Sequence, residues 1–420
     1  MSLLERFPLA EKRFCEVYGE KQAESMKPRY EKALQAFYDA YGDQKEIMVI
    51  SAPGRIEVGG NHTDHNCGHV LAAAISLDVI AVVSKSPDHI TRVISDGNGS
   101  FEIDLEDLSP KEEENGTSNA LVRGVAAGLV SYGYKVGPFL AYVTSSVLVG
   151  SGLSSSAAFE SMIGAVFSHL YNDGKATSVE LAVSGKLAEN DYYKKPSGMM
   201  DQTATANGGF VAIDFKDTAH PVIEEVQFDI DKEGYALVVV ATGDDHENLT
   251  DQYASMPIEM KSVAAYFGKN VLREVTREDI FVHVAEIRKE CGDRAFLRAV
   301  HFYDDDKRAV QEAQCLRDHD FQGFLRLIRA SGLSSIRYLQ NISDVTDFSH
   351  QGIALALCLA EDLLGERGAC RVHGGGFAGT TLNFVPKDLL PEFVARLDAA
   401  FKPGACIVLS VRKDGAIRVL

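Results

Sequence analysis

The chain has 420 residues, 45% of them hydrophobic and 24% charged, the proportions of an ordinary globular protein rather than a disordered or fibrous one. Its 42 Lys and Arg against 60 Asp and Glu leave a formal charge of −18 and a pI near 5.1. That balance argues against nucleic acid and anionic membrane as partners, since both reward clustered cations.

Length alone allows about two to three domains. No apolar run approaches a membrane span, and the N-terminal MSLLERFPLAEKRFCEVYGEKQ mixes both charge signs, unlike a signal peptide. From Pro8 that segment reads as an amphipathic helix with Ala10, Phe14, Val17 and Tyr18 on one face. A strand, EIMVISA, starts at Glu46 and is expected to end at Pro53-Gly54. His69 to Ser86 is strand-rich, and further strands are predicted at Arg92–Ser95, Phe101–Leu105 and Leu140–Thr144. A helix from about Asn119 to Tyr132 carries Leu121, Val125 and Leu129 in register. Next come a glycine-serine turn with its helix, a second helix around Ser178 to Asp191, the loop YYKKPSGMMDQ, and a strand from Gly208 to Phe215.

The pattern changes near Val222. A strand at Ala236–Val240 leads to the polar GDDHENLTDQY, helices dominate Met256 to Leu364, and GGGFAGTTLNFV precedes a terminal strand, CIVLSV. Two domains, 1–221 and 222–420, are expected. Strands and helices intermixed without steady alternation favour an α+β class over a doubly wound sheet. The seven cysteines (15, 67, 291, 315, 358, 370 and 406) form no CxxC pair, as in a reduced, cytoplasmic protein. No His spacing such as HExxH suggests a structural zinc.

Chemistry concentrates in four segments. In GSGLSSSAAFESMIGAV, Gly150 and Gly152 allow a tight turn, and Ser154, Ser155 and Ser156 fall in the predicted first turn of a helix. A free helix start with added hydroxyls and no acid suits phosphate, although a plain Ser-capped helix has the same signature. Ala52 to Leu71 packs Arg55, Glu57, Asn61, His62, Thr63, Asp64, His65 and Asn66 between apolar strands, a density unusual for a bare connector. PSGMMDQTA sets Asp201 at the start of another helix, where an N-terminal carboxylate could simply answer the helix dipole. VHGGGFAGTTL is a glycine loop that can approach a ligand or merely turn.

The order PGR…GNHTDHN, GSGLSSSAA, PSGMMDQ, GGGFAG resembles that of the galactokinases, members of the GHMP small-molecule kinases, over most of the chain. The resemblance implies a two-domain GHMP fold, with an N-terminal α+β domain of the ribosomal-protein type and a C-terminal ferredoxin-like α/β domain. It implies an ATP- and Mg²⁺-dependent sugar-1-kinase with a small-molecule sugar as its partner. Asp201 matches the family's catalytic Asp and Arg55 the Arg beside it. Asn61, His62, Asp64, Gly198 and Tyr253 match the sugar site. Gly150, Ser151, Gly152, Leu153, Ser154, Ser155 and Ser156 match the ATP phosphate turn, and Ser156 and Glu189 the magnesium site. A P-loop NTPase is disfavoured because the turn lacks a GK[ST] ending.

The sequence also departs from the family. Asn61 stands where the family has a Glu that helps bind the C6 hydroxyl, Glu57 where it has Asn, Leu148 for Pro, and Asn190 for the His of AEH; HGGGFAG replaces TGAGFGG. Asn61 opens two expectations: a substrate altered at C6, such as galacturonate, or galactose bound through the Asn amide. Two further readings stay open. A non-catalytic ATP- and sugar-binding sensor is opposed by the whole GLSSSAA. A kinase for mevalonate or homoserine is opposed by His62, Asp64 and Tyr253.

Overall fold

Helices α1 (Ala10–Tyr18) and α2 (Glu20–Tyr41) lead into two long apolar strands, β1 (Met48–Gly59) and β2 (His69–Lys85), which pair antiparallel. The structure, a computed structural model, describes residues 3–7, 9–148, 152–195, 197–243 and 250–420. The N-terminal part continues with β3 (Ile90–Ser95), β4 (Gly99–Asp104), α3 (Ser118–Ser131), β5 (Phe139–Ser145), α4 (Ser155–Tyr171), α5 (Ser178–Leu187), α6 (Met200–Asn207), β6 (Phe210–Asp214) and β7 (Val222–Val226). Then come β8 (Tyr235–Ala241), α7 (Thr250–Tyr266), α8 (Arg277–Val282), α9 (Val284–Glu290), α10 (Asp293–Arg317), α11 (Phe321–Ser334) and α12 (Gly352–Leu364). The chain closes with β9 (Ala369–His373), β10 (Thr380–Pro386), α13 (Leu390–Ala400), β11 (Cys406–Leu409) and β12 (Ile417–Arg418).

Among the described residues, one sheet runs β12-β1-β2-β5-β3-β4, with β6 and β7 joined to β2 at its other end. Its pairs are antiparallel except β3 with β5. The second sheet, β11-β8-β10-β9, is antiparallel throughout. Mixed sheets with helices on their faces make this the expected α+β fold.

Apolar periodicity explains the layers. The predicted face of α1, Ala10, Phe14, Val17 and Tyr18, is the buried one. Phe14, Tyr30 and Phe37 of the first two helices are fully buried against Val49, Ile80, Val82 and Leu140 on one face of the first sheet. Each such side chain contributes about 1.5–3 kcal/mol by leaving water. Helices α3 and α4 cover the other face through Leu121, Val125, Met162 and Val166. The same core runs on to the second sheet, where Leu382 and Phe384 meet Phe324 and Ile328 of α11. On that sheet's far side, Ile353 and Leu357 of α12 and Phe393 and Leu397 of α13 pack on Val238 and Val240.

Several boundaries differ from expectation. Pro53-Gly54 does not end β1; the strand shifts register between Pro53 and Arg55 and continues to Gly59. Gly54 is required there, since a Cβ would lie 2.8 Å from the Leu153 carbonyl oxygen. The expected helix of Ser178–Asp191 is α at first and then a π-helical turn, Ala188–Tyr192. The expected division at 221/222 falls inside the first sheet, because β7 pairs with β6 and the C-terminal β12 returns to β1. No helix among the described residues is long and apolar enough to cross a membrane.

Asp78 on β2 ties these layers together. Its fully buried carboxylate accepts from Arg29, from Tyr18 Oη at 2.6 Å, from Ser51 Oγ at 2.5 Å and from Arg412 at 3.0 Å. Burial pushes this carboxyl up, but Arg29 and Arg412 override it and hold it below the usual range. The backbone N–H of Asp78 donates to Ser146 Oγ at 3.0 Å, just ahead of the phosphate turn. Asp78→Ala leaves the buried Arg412 and the half-buried Arg29 without their anion. We expect a loss of about 3–5 kcal/mol, read as an earlier midpoint in urea unfolding.

Candidate active site

The site is built where β1, α4 and α6 converge. Arg55 leaves β1 just after its first register shift and is 6% exposed. Its Nε and Nη2 each donate at 2.7 Å to the two oxygens of Asp201, in the first turn of α6, and its Nη1 donates to the Gly152 carbonyl. This bidentate, charge-assisted geometry is the strong form of an Arg–carboxylate pair. Ser154 Oγ donates to the same carboxylate. Burial pushes the Asp201 carboxyl up, yet Arg55 and Ser154 outweigh it and the group lies below the ordinary value of 3.8. Asp201 therefore stays ionised at neutral pH.

The phosphate turn sits directly over this pair. Gly150 and Ser151 lie outside the described residues. Gly152 and Ser154 both have positive φ, +70° and +57°, and Leu153 is fully buried. Arg55 N–H donates to the Leu153 carbonyl at 3.1 Å, which fixes the turn to β1. α4 starts at Ser155, one residue later than expected, because Ser154 adopts the left-handed conformation that turns its hydroxyl toward Asp201. Ser155 and Ser156 occupy the first turn, and that turn has no acidic residue.

Beneath the turn lies a cluster of oxygen donors. Ser156 Oγ donates to Glu189 Oε1 at 3.2 Å, Gln202 donates to Glu189 Oε2 at 2.8 Å, and Lys195 Nζ lies 2.9 Å from Glu189 Oε1. Gln202 also donates to Glu160 Oε2 at 3.0 Å, while Glu160 Oε1 is buried without a hydrogen-bond partner. Burial, reinforced by Glu189, pushes the Glu160 carboxyl well up, toward its neutral form. No group of three or more His, Cys, Asp or Glu among the described residues could hold a metal alone. A hard, all-oxygen set with one or two side chains fits a magnesium ion that takes its other ligands from phosphates and water.

The polar loop after β1 faces the glycine loop and α7. His62 has φ +61° and its Nε2 lies 3.2 Å from the Gly375 carbonyl; burial pushes it down to about 3, so it is neutral. Its ring lies 5.3 Å from Tyr253 of α7 and 5.9 Å from His65. Tyr253 is 41% exposed, and a Cβ on Gly375 would come within 2.8 Å of its ring. Asp64 abuts Gly198, where a Cβ would lie 2.3 Å from Asp64 Oδ2. His62, Asp64, Gly198 and Tyr253 thus lie in one neighbourhood of the fold.

Residues 35–85 match the galactokinase galactose-binding signature, and residues 120–209 match the GHMP kinases N-terminal domain. A galactokinase of Actinobacillus pleuropneumoniae serotype 5b (strain L20) is 30% identical over 371 residues, covering 86% of this chain and 90% of the relative. The chain belongs to the galactokinase family. It is a galactokinase-like sugar kinase, and kinases of this family use ATP. In fold it resembles the Lactococcus lactis galactokinase complexed with galactose, with a TM-score of 0.77 and 22% identity over 91% of this chain and 98% of that one. The Methanococcus jannaschii mevalonate kinase shares the fold at a TM-score of 0.63 and 14% identity, over 88% of this chain and 99% of that one.

Asn61, beside this site, is bonded into the protein. It is fully buried, and its side chain is saturated by the protein. Nδ2 donates to Glu57 Oε1 at 2.8 Å and to the Gly374 carbonyl at 2.9 Å; Oδ1 accepts from Asn341 at 3.0 Å and Ser335 at 3.4 Å. An amide offers two donors and two acceptor sites, so none is left for a sugar hydroxyl. The neighbouring carboxylate, Glu57, is also turned inward, held at 2.6 Å by the fully buried Arg371. Burial pushes Glu57 up to about 7 against the pull of Arg371 and Asn61.

Sequence reasoning missed Glu160, Lys195 and the Glu57–Arg371 pair. Glu160 carried a signal, as the one acid in the otherwise apolar and small-residue helix SSAAFESMIGAV. Lys195 and Arg371 did not, because their partners are distant in the chain or reached through a turn.

Removing Arg55 unmasks the burial of Asp201. The wild-type enzyme should show no acid limb from Asp201 above pH 5. In Arg55→Met the residual activity should instead show an acid limb shifted upward, past the ordinary carboxylate value, in a kcat/KM profile against pH.

Proposed function

We propose that this protein transfers the γ-phosphoryl group of ATP to the anomeric hydroxyl of galactose or a closely related sugar. The observation that carries the reading is the Arg55–Asp201 pair, closed by Ser154 at the mouth of the phosphate turn. Asp201 takes the proton of the sugar hydroxyl as that oxygen bonds to the γ-phosphorus. The bond from phosphorus to the bridging oxygen of ADP breaks, and ADP leaves with its electron pair. Arg55 keeps Asp201 ionised before the step, and its Nη1 lies toward the phosphate turn, where negative charge gathers. Ser155 and Ser156 at the start of α4 orient phosphate oxygens. Glu189 and Ser156 would hold Mg²⁺, which supplies charge neutralisation on the ATP phosphates. His62, Asp64 and Tyr253 would hold the sugar.

Galactose is favoured because the matched signature covers the loop that carries His62 and Asp64. A sugar altered at C6, such as galacturonate, is the second reading. It is supported by Asn61 and Glu57, which turn their polar atoms into the protein and present no carboxylate to the pocket. A sensor without turnover is disfavoured by the intact Arg55–Asp201 pair.

Turnover of ATP with Mg²⁺ against galactose, galacturonate, glucose, arabinose and N-acetylgalactosamine separates these readings. Galactose is expected to rank first; a clear preference for a C6-altered sugar would select the second reading, and binding without turnover the sensor. Asp201→Asn should lower kcat by about 10³-fold, within the range of lost proton transfer, while calorimetric ATP affinity stays nearly unchanged. Undiminished turnover in that variant would remove Asp201 from the mechanism.

A further inference from the structure

We propose that Lys195 is a catalytic cation held by Glu189 beside the phosphate turn, passing to the terminal phosphate of ATP when Glu189 takes up the divalent ion. The inference rests on the reading of Glu189 and Ser156 as holders of that ion.

The argument starts from one oxygen. Glu189 Oε1 bears Lys195 Nζ at 2.9 Å and Ser156 Oγ at 3.2 Å, while Glu189 Oε2 is taken by Gln202 at 2.8 Å. A divalent ion bound between Glu189 and Ser156 needs the oxygen that the ammonium occupies, and like charges at that range repel. Lys195 is therefore displaced by the event that loads the site.

The two partners differ in freedom. Glu189 is 3% exposed and fixed in the π-helical turn Ala188–Tyr192, whose Glu189 carbonyl accepts from the Lys195 backbone N–H at 3.0 Å. The Lys195 side chain is 59% exposed. The backbone is pinned next to the site while the ammonium, a compact charge on a flexible four-carbon stem, can swing.

Few anions remain for it to meet. Asp201 is engaged on both oxygens by Arg55 at 2.7 Å and also by Ser154. Glu160 is fully buried and bound by Gln202. The terminal phosphate, which must lie between the start of α4 and Asp201 for transfer, would bring an unmatched negative charge into this cluster. There the ammonium would add a donor where charge gathers in the transition state.

The test uses full-length protein, Lys195→Met and Lys195→Arg, with Mg²⁺ and no sugar. ATP and ADP affinities are measured by calorimetry. Losing a charge-assisted contact to the terminal phosphate should weaken ATP about tenfold in Lys195→Met, with ADP changed less than about twofold. Lys195→Arg should retain most of the ATP-over-ADP preference, and in a separate assay with galactose added kcat in Lys195→Met should fall by about 100-fold. The exposed side chain makes misfolding an unpromising explanation, and an unchanged melting temperature checks it. An ATP-to-ADP affinity ratio equal to that of the wild type would overturn the assignment, leaving Lys195 as a surface ion pair. Wild-type protein whose ATP affinity did not depend on Mg²⁺ would instead sink the reading of Glu189 and Ser156 as holders of the ion, so the two failures are distinguishable.

Discussion

The bidentate contact between Arg55 and Asp201 is the constraint around which the rest of the site is arranged. It joins the end of β1 to the first turn of α6, and Arg55 Nη1 adds the Gly152 carbonyl, so one guanidinium fixes a strand, a helix and the phosphate turn. Both partners are largely removed from water, and such a pair repays its desolvation only with near-ideal geometry and every donor used. That condition explains the local irregularities. β1 slips register after Pro53, Gly54 lets the Leu153 carbonyl approach, and Ser154 adopts positive φ so that its hydroxyl reaches the carboxylate.

Carboxylates in the cleft are separated by their surroundings. Asp201 is held low by a guanidinium and Glu160 is driven toward its neutral form by burial, while Glu189 carries an ammonium on one oxygen and an amide on the other. Three acids so close could not all remain charged without cations, and each finds a different resolution. Gln202 bridges Glu160 and Glu189 through a single amide nitrogen, so proton placement on Glu160 and ion binding at Glu189 share one support.

A second buried network joins the two sheets. Arg371 on β9 reaches the Val58 carbonyl at 2.8 Å and Glu57 at 2.6 Å, both on β1, and Asn61 ties Glu57 to the glycine loop and to Asn341. His373 on the same strand accepts the Glu57 backbone N–H at 3.2 Å. Through these contacts the cluster of His62, Gly375 and Tyr253 is tied to the strand that carries Arg55. The carboxylate at 57 and the amide at 61 serve this joint.

The local chemistry of the site was written in short segments. Glycine and serine at 152–156, Arg55 after Pro53-Gly54, and Asp201 after Gly198 each encode their own turn or helix start, because capping, positive φ and close approach are decided within a few residues. The apolar periodicity of α1 and the long run of β2 fixed their buried faces for the same reason. Only the tertiary structure decided which charges meet. Arg371 and Glu57 are distant in the chain, Lys195 reaches Glu189 only because a π-helical turn folds it back, and three of the four groups bonded to the Asn61 side chain come from the other half of the molecule. β7 and β12 join the first sheet from beyond the expected boundary because strand pairing is set by backbone partners far away, which composition does not record. Residue types and their spacing therefore determined the chemistry available, and long-range packing determined which of those groups meet.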